Sequence, residues 1–237
     1  MRADSELFKR KLVRSRSAAA ELIRRGSVKL NGKVVQKTSE LIGPEDIIEI
    51  GEGLPFVSRG GEKLDYALRH FRINVSGKMA VDVGSSTGGF TDCLLRHGAK
   101  KIYAVDVGHS QLHETLRSDP RITVLEKNDI RKVLLPEKVD LAVIDVSFIS
   151  LEKILPSVQG LLTADGQIVA LIKPQFEVGK GKLNKKGVVK DSKEREEAAE
   201  KVLAAAAGLG FTLKGFSQSP IQGGDGNIEY LAYLKND

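Results

Sequence analysis

The sequence predicts an α/β protein: a mostly parallel sheet with helices on both faces and an antiparallel last strand, preceded by a small α+β domain. Three observations carry that prediction. From residue 62 onward, short apolar runs alternate with segments of helical spacing, the pattern of a parallel sheet covered on both faces. The last two predicted strands have no helix between them, so the closing hairpin adds an antiparallel strand at the sheet edge. Residues 1–50 hold two amphipathic segments and a hairpin signal of their own. The glycine-rich stretch GEGLPFVSRGG, at 51–61, separates them from the rest as a linker.

Composition sets the bounds. The chain has 237 residues, 41% hydrophobic and 29% charged, ordinary for a soluble protein with one sizeable domain and a small one. No apolar run reaches the roughly 18–20 residues of a membrane helix. The N-terminus MRADSELFKRKL lacks the apolar stretch of a secretion signal. A cytoplasmic protein without membrane contact is therefore expected. One cysteine, Cys93, excludes an internal disulfide and a cysteine-rich zinc site; it is expected in the core. Histidines 70, 97, 109 and 113 show no metal-ligand spacing, and no metal is expected. The net charge of +6 is uneven: residues 1–37 carry 11 Lys/Arg against 3 Asp/Glu, while the remainder is slightly acidic. Such a concentrated basic footprint points to nucleic acid.

The elements follow in order. SELFKRKLV and SRSAAAELIRRG have helical spacing. Ser15 or Ser17 can cap the second helix and Gly26 can end it. SVKLNGKVV reads as a hairpin through Asn31-Gly32, and EDIIEI as a further strand. This pattern resembles the small RNA-binding domain first described in the fourth protein of the small ribosomal subunit. The resemblance implies phosphate contacts from Arg14, Arg16, Arg24, Arg25, Lys29 and Lys33. Beyond the linker, strands are predicted near 79–83, 101–105, 122–125, 140–145, 167–173, 211–217 and 228–235. Helices are predicted near 62–70, 90–97, 110–117, 151–161 and 193–208.

MAVDVGSSTGGFTD, at 79–92, runs an apolar strand into a loop with glycines at 84, 88 and 89, then into a helix. The dinucleotide fingerprint G-x-G-x-x-G lacks its second glycine here. The nucleoside-triphosphate loop lacks its lysine, because Phe90 follows Gly89. What remains is D-x-G-x-x-x-G, from Asp82 to Gly88, which resembles the first motif of S-adenosylmethionine-dependent methyltransferases. That ligand carries a sulfonium, an amine and a carboxylate but no phosphate, so no lysine is needed. Glycines let the backbone approach its methionine part, and Asp82 is expected to help hold the ammonium group. Asp106, ending the second strand in IYAVDVG, is expected on the ribose hydroxyls. Asp129, in EKNDIRK after the third strand, is expected on the adenine amino group. Candidate cofactor contacts are thus Asp82, Gly84, Ser86, Gly88 and Phe90, with Asp106, Asp129 and Asp145 from successive strand ends.

VIDVSF puts Asp145 at the end of the fourth strand. The Asn/Asp-Pro-Pro-Tyr/Phe sequences that suit base-nitrogen methylation at this place are absent. ALIKPQFE places Lys173 at the end of the fifth strand, just before a proline. A lysine where a buried strand meets a cleft is costly as mere structure, since burial disfavours its charge. Lys63 in SRGGEKL, Asp145, Lys173 and Glu229 in GNIEYL resemble the Lys-Asp-Lys-Glu tetrad of the FtsJ-like ribose 2′-O-methyltransferases. With the N-terminal domain, the chain resembles the TlyA family of ribosomal-RNA methyltransferases, also known as hemolysins, through VSRGGEKL, DVGSSTGGFTD, VDVG, DVSFISL and KPQFE. The resemblance implies a Rossmann-like methyltransferase sheet over residues 62–237 and S-adenosylmethionine as cofactor. It implies methyl transfer to a cytidine 2′-hydroxyl of ribosomal RNA, free or in ribosomal subunits. In that scheme Lys173 aligns the hydroxyl and either takes its proton or stabilises the developing oxyanion. Lys63 adds positive potential, and Asp145 and Glu229 orient the lysines.

FEVGKGKLNKKGVVKD, at 176–191, is long for an α/β connection. Lys180, Lys182, Lys185 and Lys186 read as RNA phosphate contacts, a solvated loop being the equal alternative. The tryptophan-bearing linker of family members is replaced here by LPFVSRG, with Phe56. Two other function classes stay open. A non-catalytic RNA-binding protein is one, against which the intact tetrad argues. A membrane-lytic hemolysin is the other; it needs a secretion signal and an inserting segment, and neither is evident.

Overall fold

The computed structural model describes residues 1–24, 26–35, 37–51, 56–223 and 226–236, with only the backbone at 24 and 180. Arg25 and residues 52–55 of the expected linker lie outside the described residues. The chain divides into two compact units, Met1–Ser58 and Arg59–Asp237.

In the smaller unit, α1 (Ala3–Lys9) and α2 (Arg16–Arg24) turn apolar stripes inward. Ala3, Leu7, Ala19, Leu22 and Ile23 join Val28, Val35 and Ile42 in one buried cluster. Ser15 Oγ accepts the Ala18 N–H at 3.1 Å and starts α2. β1 (Val28–Leu30), β2 (Lys33–Val34) and β3 (Ile48–Ile50) form an antiparallel sheet in the order β2-β1-β3. Asn31 and Gly32 both take positive φ, +49° and +80°, the conformation of a two-residue hairpin turn.

The larger unit opens with α3 (Gly60–His70), which begins inside the stretch expected as linker. Then come β4 (Met79–Val83), α4 (Gly89–Arg96), β5 (Lys101–Asp106), α5 (Glu114–Arg117), β6 (Ile122–Glu126) and β7 (Val139–Ile144). The chain continues through α6 (Leu155–Gln159), β8 (Leu162–Ile172), α7 (Pro174–Glu177), α8 (Ser192–Gly208), β9 (Phe211–Gln218) and β10 (Tyr230–Asn236). Among the described residues, β4 to β10 form one sheet in the order β6-β5-β4-β7-β8-β10-β9. β4 to β8 run parallel. Both faces are covered, so Ala80, Val81, Ile102, Ala104, Leu141, Val143, Ile168 and Ala170 are all buried.

Four expectations need correction. The antiparallel strand is not at the edge: β10 lies between β8 and β9, antiparallel to both. The crossover through α8 sets β9 one strand's width beyond β8, and the returning β10 fills the gap. Sequence spacing carries no measure of that reach. The helix expected over 110–117 shrinks to α5, because the Glu126 carboxylate captures the N–H groups of Ser110, Gln111 and Leu112 at 2.6–3.2 Å. The helix expected over 151–161 breaks into a 3-10 turn at Leu151–Lys153 and a short α6, with Pro156 in its first turn. β8 also starts at Leu162 rather than near 167.

This topology locates the site. The strand order reverses between β4 and β7, which opens a crevice at the carboxyl ends of the parallel strands. Because β10 is antiparallel, its beginning faces that same edge: Tyr230 pairs with Ile172, the last residue of β8.

Candidate active site

The β4–α4 loop alternates through left-handed residues, Gly84 at φ +84°, Ser86 at +47° and Gly88 at +96°. A Cβ added at Gly84 would sit 2.5 Å from the Asp145 carbonyl oxygen. Glycine is thus what lets the ends of β4 and β7 approach each other.

Beside this loop lies a cavity of about 420 Å³, the size of a small-ligand site. Val83, Val105, Val107, Ile130, Ile149 and Ile154 give it apolar walls, and Asp106, Asp129, Asp145 and Arg131 are its charged groups. Arg131 is already paired with Asp129, Nη2 to Oδ2 at 2.5 Å, and that guanidinium holds the Asp129 carboxyl down at about 2. Asp129 is paired with Arg131 and Asp145 with Lys173, so Asp106 supplies the remaining negative charge of the lining, which suits a ligand with a positive centre and disfavours a phosphate. Asp106 is fixed in place, its Oδ2 accepting from Ser86 N–H at 2.8 Å and its Oδ1 from Gly108 N–H at 2.7 Å. Each of its oxygens keeps a second lone pair for a ligand hydroxyl.

Position divides the eight expected cofactor contacts into five and three. Gly84, Ser86, Asp106, Asp129 and Asp145 line the cavity; Asp82, Gly88 and Phe90 do not. Asp82 lies two residues back along β4, fully buried, with Oδ2 accepting from Thr91 Oγ1 at 2.6 Å. Burial pushes its carboxyl up to about 7. Gly88 turns the chain into α4 where any side chain would run into Leu116. Phe90 is a buried residue of α4.

The four expected catalytic residues resolve into two ion pairs. Lys173 Nζ lies 2.6 Å from Asp145 Oδ1 and donates to Ser147 Oγ at 3.0 Å. Lys63 Nζ lies 2.5 Å from Glu229 Oε2, with the residues 6% and 3% exposed. Gln175 Nε2 donates to Glu229 Oε1 at 3.3 Å. Both pairs belong to one sheet edge: Glu229 precedes Tyr230, and Lys173 follows Ile172, its partner in register.

Sequence reasoning passes over Ser147, Phe148, Gln175, Phe176 and Glu177. Phe148 is 90% exposed and holds φ +65°. Its ring centroid lies 4.9 Å from that of Phe176, which in turn lies 5.9 Å from Lys173 Nζ. Glu177 Oε1 accepts the Leu151 N–H at 2.9 Å, tying α7 to the loop that carries Phe148. The aromatics stand beside the expected catalytic positions in DVSF and KPQF, but their exposure is not written in the sequence.

In the smaller unit Arg14 lines a groove with Phe8, Lys9, Lys11 and Leu12; the two lysines are further basic residues that the sequence reading passes over. Arg16 Nη2 donates to Asp4 Oδ2 at 2.8 Å, its side chain still 58% exposed. Lys29 and Lys33 are exposed. Arg25 lies outside the described residues. In the 176–191 segment, Lys185 and Lys186 are exposed, whereas Lys182 lies 3.7 Å from both Glu194 and Glu197. Buried Asn227 pins this segment through Gly187 O and Val189 N–H.

Comparison with known proteins agrees with this geometry. Residues 56–236 match the family described as FtsJ-like methyltransferase, and residues 1–48 match the S4 domain. The chain is 43% identical to the 16S/23S rRNA (cytidine-2'-O)-methyltransferase TlyA of Mycobacterium tuberculosis, over 99% of this chain and 89% of that one. It is 42% identical to Hemolysin A of Brachyspira hyodysenteriae, over 99% of each. Among solved structures, the N-methyltransferase NodS from Bradyrhizobium japonicum, in complex with S-adenosyl-l-homocysteine, shares the fold at 17% identity. Its TM-score is 0.55, with 76% of this chain and 88% of that one covered.

Proposed function

The chain belongs to the FtsJ-like methyltransferase family and carries an S4 domain at its N-terminus, and on that premise we propose that it methylates a cytidine ribose 2′-hydroxyl of ribosomal RNA, within a ribosomal subunit and in the cytoplasm. S-adenosylmethionine is the cofactor; when bound, it supplies a methyl carbon activated by the sulfonium. The cavity fits it: apolar walls for the adenine, Asp106 for the ribose hydroxyls, and a carboxylate excess for the cationic centres. The smaller unit grips RNA through Arg14, Arg16, Arg24, Arg25, Lys29 and Lys33, and the 176–191 lysines add phosphate contacts.

The single observation that carries the reading is the Lys173–Asp145 pair, at the rim of that acidic cavity. In-line displacement asks the protein mainly for position and for charge at the attacking oxygen. Lys173 Nζ donates to the 2′-oxygen and fixes its line of attack. Asp145 and Ser147 hold the ammonium in place. The hydroxyl proton becomes strongly acidic as the new C–O bond forms, and the Asp145 carboxylate accepts it. Lys63 and Glu229 form a buried pair that fixes the beginning of β10 beside Lys173. No helix among the described residues is long and apolar enough to cross a membrane, and membrane lysis gains no structural support.

The test is methyl incorporation into ribosomal RNA by purified protein, followed by nucleoside mass mapping. Appearance of 2′-O-methylcytidine is expected. Failure of the wild-type protein to methylate whole subunits or their RNA would remove the assignment.

A further inference from the structure

We propose that Asp65, Cys93 and His97 form a binding site for one divalent cation of the zinc class, between α3 and α4. This inference does not depend on the methyl-transfer reading. Asp65 belongs to α3, Cys93 sits in α4, and His97 is the residue that ends α4, four positions on. That spacing sets Cys93 and His97 on one helix face, turned toward α3. One carboxylate oxygen, the thiol sulfur and one imidazole nitrogen all lie within 4.8 Å of one another. Donors around a tetrahedral zinc, with bonds of about 2.0–2.3 Å, stand roughly 3.3–3.8 Å apart. Rotation of the side chains closes the difference. His97 Nε2 lies 2.8 Å from Asp65 Oδ1, and a cation there replaces the proton that the two now share.

The surroundings fit the purpose. Arg69 Nε lies 3.1 Å from Asp65 Oδ2 and donates to Oδ1, the oxygen that His97 also contacts, at 3.2 Å; its side chain is 75% exposed, so it can turn to solvent as positive charge arrives. Cys93 is buried, while Asp65 and His97 are only half-buried. The ion therefore enters from the His97 side, and a water completes its coordination. Coordination is to the thiolate, so the Cys93 proton leaves to solvent on binding. Sulfur and imidazole donors select zinc, cobalt or cadmium over magnesium or calcium. The bound ion ties α3, which carries Lys63, to α4, which follows the glycine loop.

Cobalt(II), titrated into the reduced, chelator-stripped full-length protein, tests the site. The chain has one cysteine, so a thiolate-to-cobalt charge-transfer band reports Cys93 alone. The band is expected to saturate at one cobalt per chain and to be bleached by zinc. Cys93→Ser should abolish it. Asp65→Asn and His97→Ala should each weaken cobalt binding more than about tenfold. His97→Gln keeps a polar contact to Asp65 while removing a good ligand, so it gives the same result if His97→Ala misfolds by circular dichroism. Absence of the band in the wild-type protein overturns the site, as does a cobalt affinity untouched by both the Asp65 and the His97 substitutions.

Discussion

Lys173 Nζ and Asp145 Oδ1 stand 2.6 Å apart, each side chain belonging to the first residue beyond a strand, β8 and β7 respectively. Those strands are parallel neighbours, so their ends deliver an ammonium and a carboxylate to one point at the cavity rim. Lys173→Ala should abolish methyl transfer, while RNA affinity in filter binding stays within about twofold of wild type. Asp145→Asn should lower turnover by more than about 100-fold, because the ammonium loses its anchor and the departing proton its acceptor. Methyl transfer that survives Lys173→Ala removes that residue from the chemistry.

The Lys63–Glu229 pair is buried, and that changes how it should be tested. Glu229→Ala leaves an ammonium without its counter-charge and should cost about 3–5 kcal/mol in urea unfolding. The double substitution Lys63→Met with Glu229→Leu removes both charges and should recover most of that stability. It should not recover methyl transfer. A double variant as unstable as the single one would mean that packing, not charge, is what the pair supplies.

Much of this site is legible in the sequence because strand ends are. Asp106, Asp145 and Lys173 each follow an apolar run, and parallel strands bring their carboxyl ends to a common edge. The place of Glu229 is not legible in that way. It reaches that edge only because β10 turns back between β8 and β9, and no local pattern reports strand order. Asp82 shows the opposite case: it fits the motif, yet its burial behind the loop is not written in the local sequence. The shortened α5 depends on Glu126, which is remote in sequence and takes the N–H groups a longer helix would have used. The Asp65–His97 contact crosses between two helices, a distance that residue spacing does not encode.

Glycine at 84 makes two separable contributions, conformational and steric. Gly77→Ala is the control for the first, since it also has positive φ, +75°, with nothing within 4 Å of an added Cβ. It should cost about 1–2 kcal/mol. Gly84→Ala carries the same conformational cost and a clash with the Asp145 carbonyl. It should lose roughly 1–3 kcal/mol more, and adenosylmethionine affinity by calorimetry should fall with it. Equal losses at the two positions would show that the approach of β4 to β7 is not tight.

Phe148 is a large apolar side chain held in solvent by a left-handed backbone, beside Phe176 and close to the lysine of the site. Exposure of that kind gains nothing for folding, so the ring is expected to meet a base of the RNA. Phe148→Ala should weaken RNA binding by about 1–3 kcal/mol, with the thermal midpoint unchanged. Phe148→Leu keeps the bulk without the π face and should lose nearly as much. Full RNA affinity in the alanine variant would exclude stacking there.

Asp82 makes stability depend on pH, and the sign follows from its burial. Unfolded, the carboxyl titrates near 3.8; folded, it is pushed up to about 7. Between those values the folded chain keeps a proton that the unfolded chain has lost, so stability falls as pH rises through the window. Asp82→Asn removes the charge and still offers an oxygen to the Thr91 hydroxyl. Unfolding free energies of the two proteins should therefore nearly coincide at about pH 4. They should diverge in favour of the variant as pH rises, by on the order of 3–4 kcal/mol at about pH 8. Carboxylates held low by a cation, such as Glu126 at about 2 beside Arg117, are common to both proteins and cancel in the difference. A difference that stays constant across the window would mean that Asp82 ionises as readily folded as unfolded, and that its buried position carries no electrostatic cost.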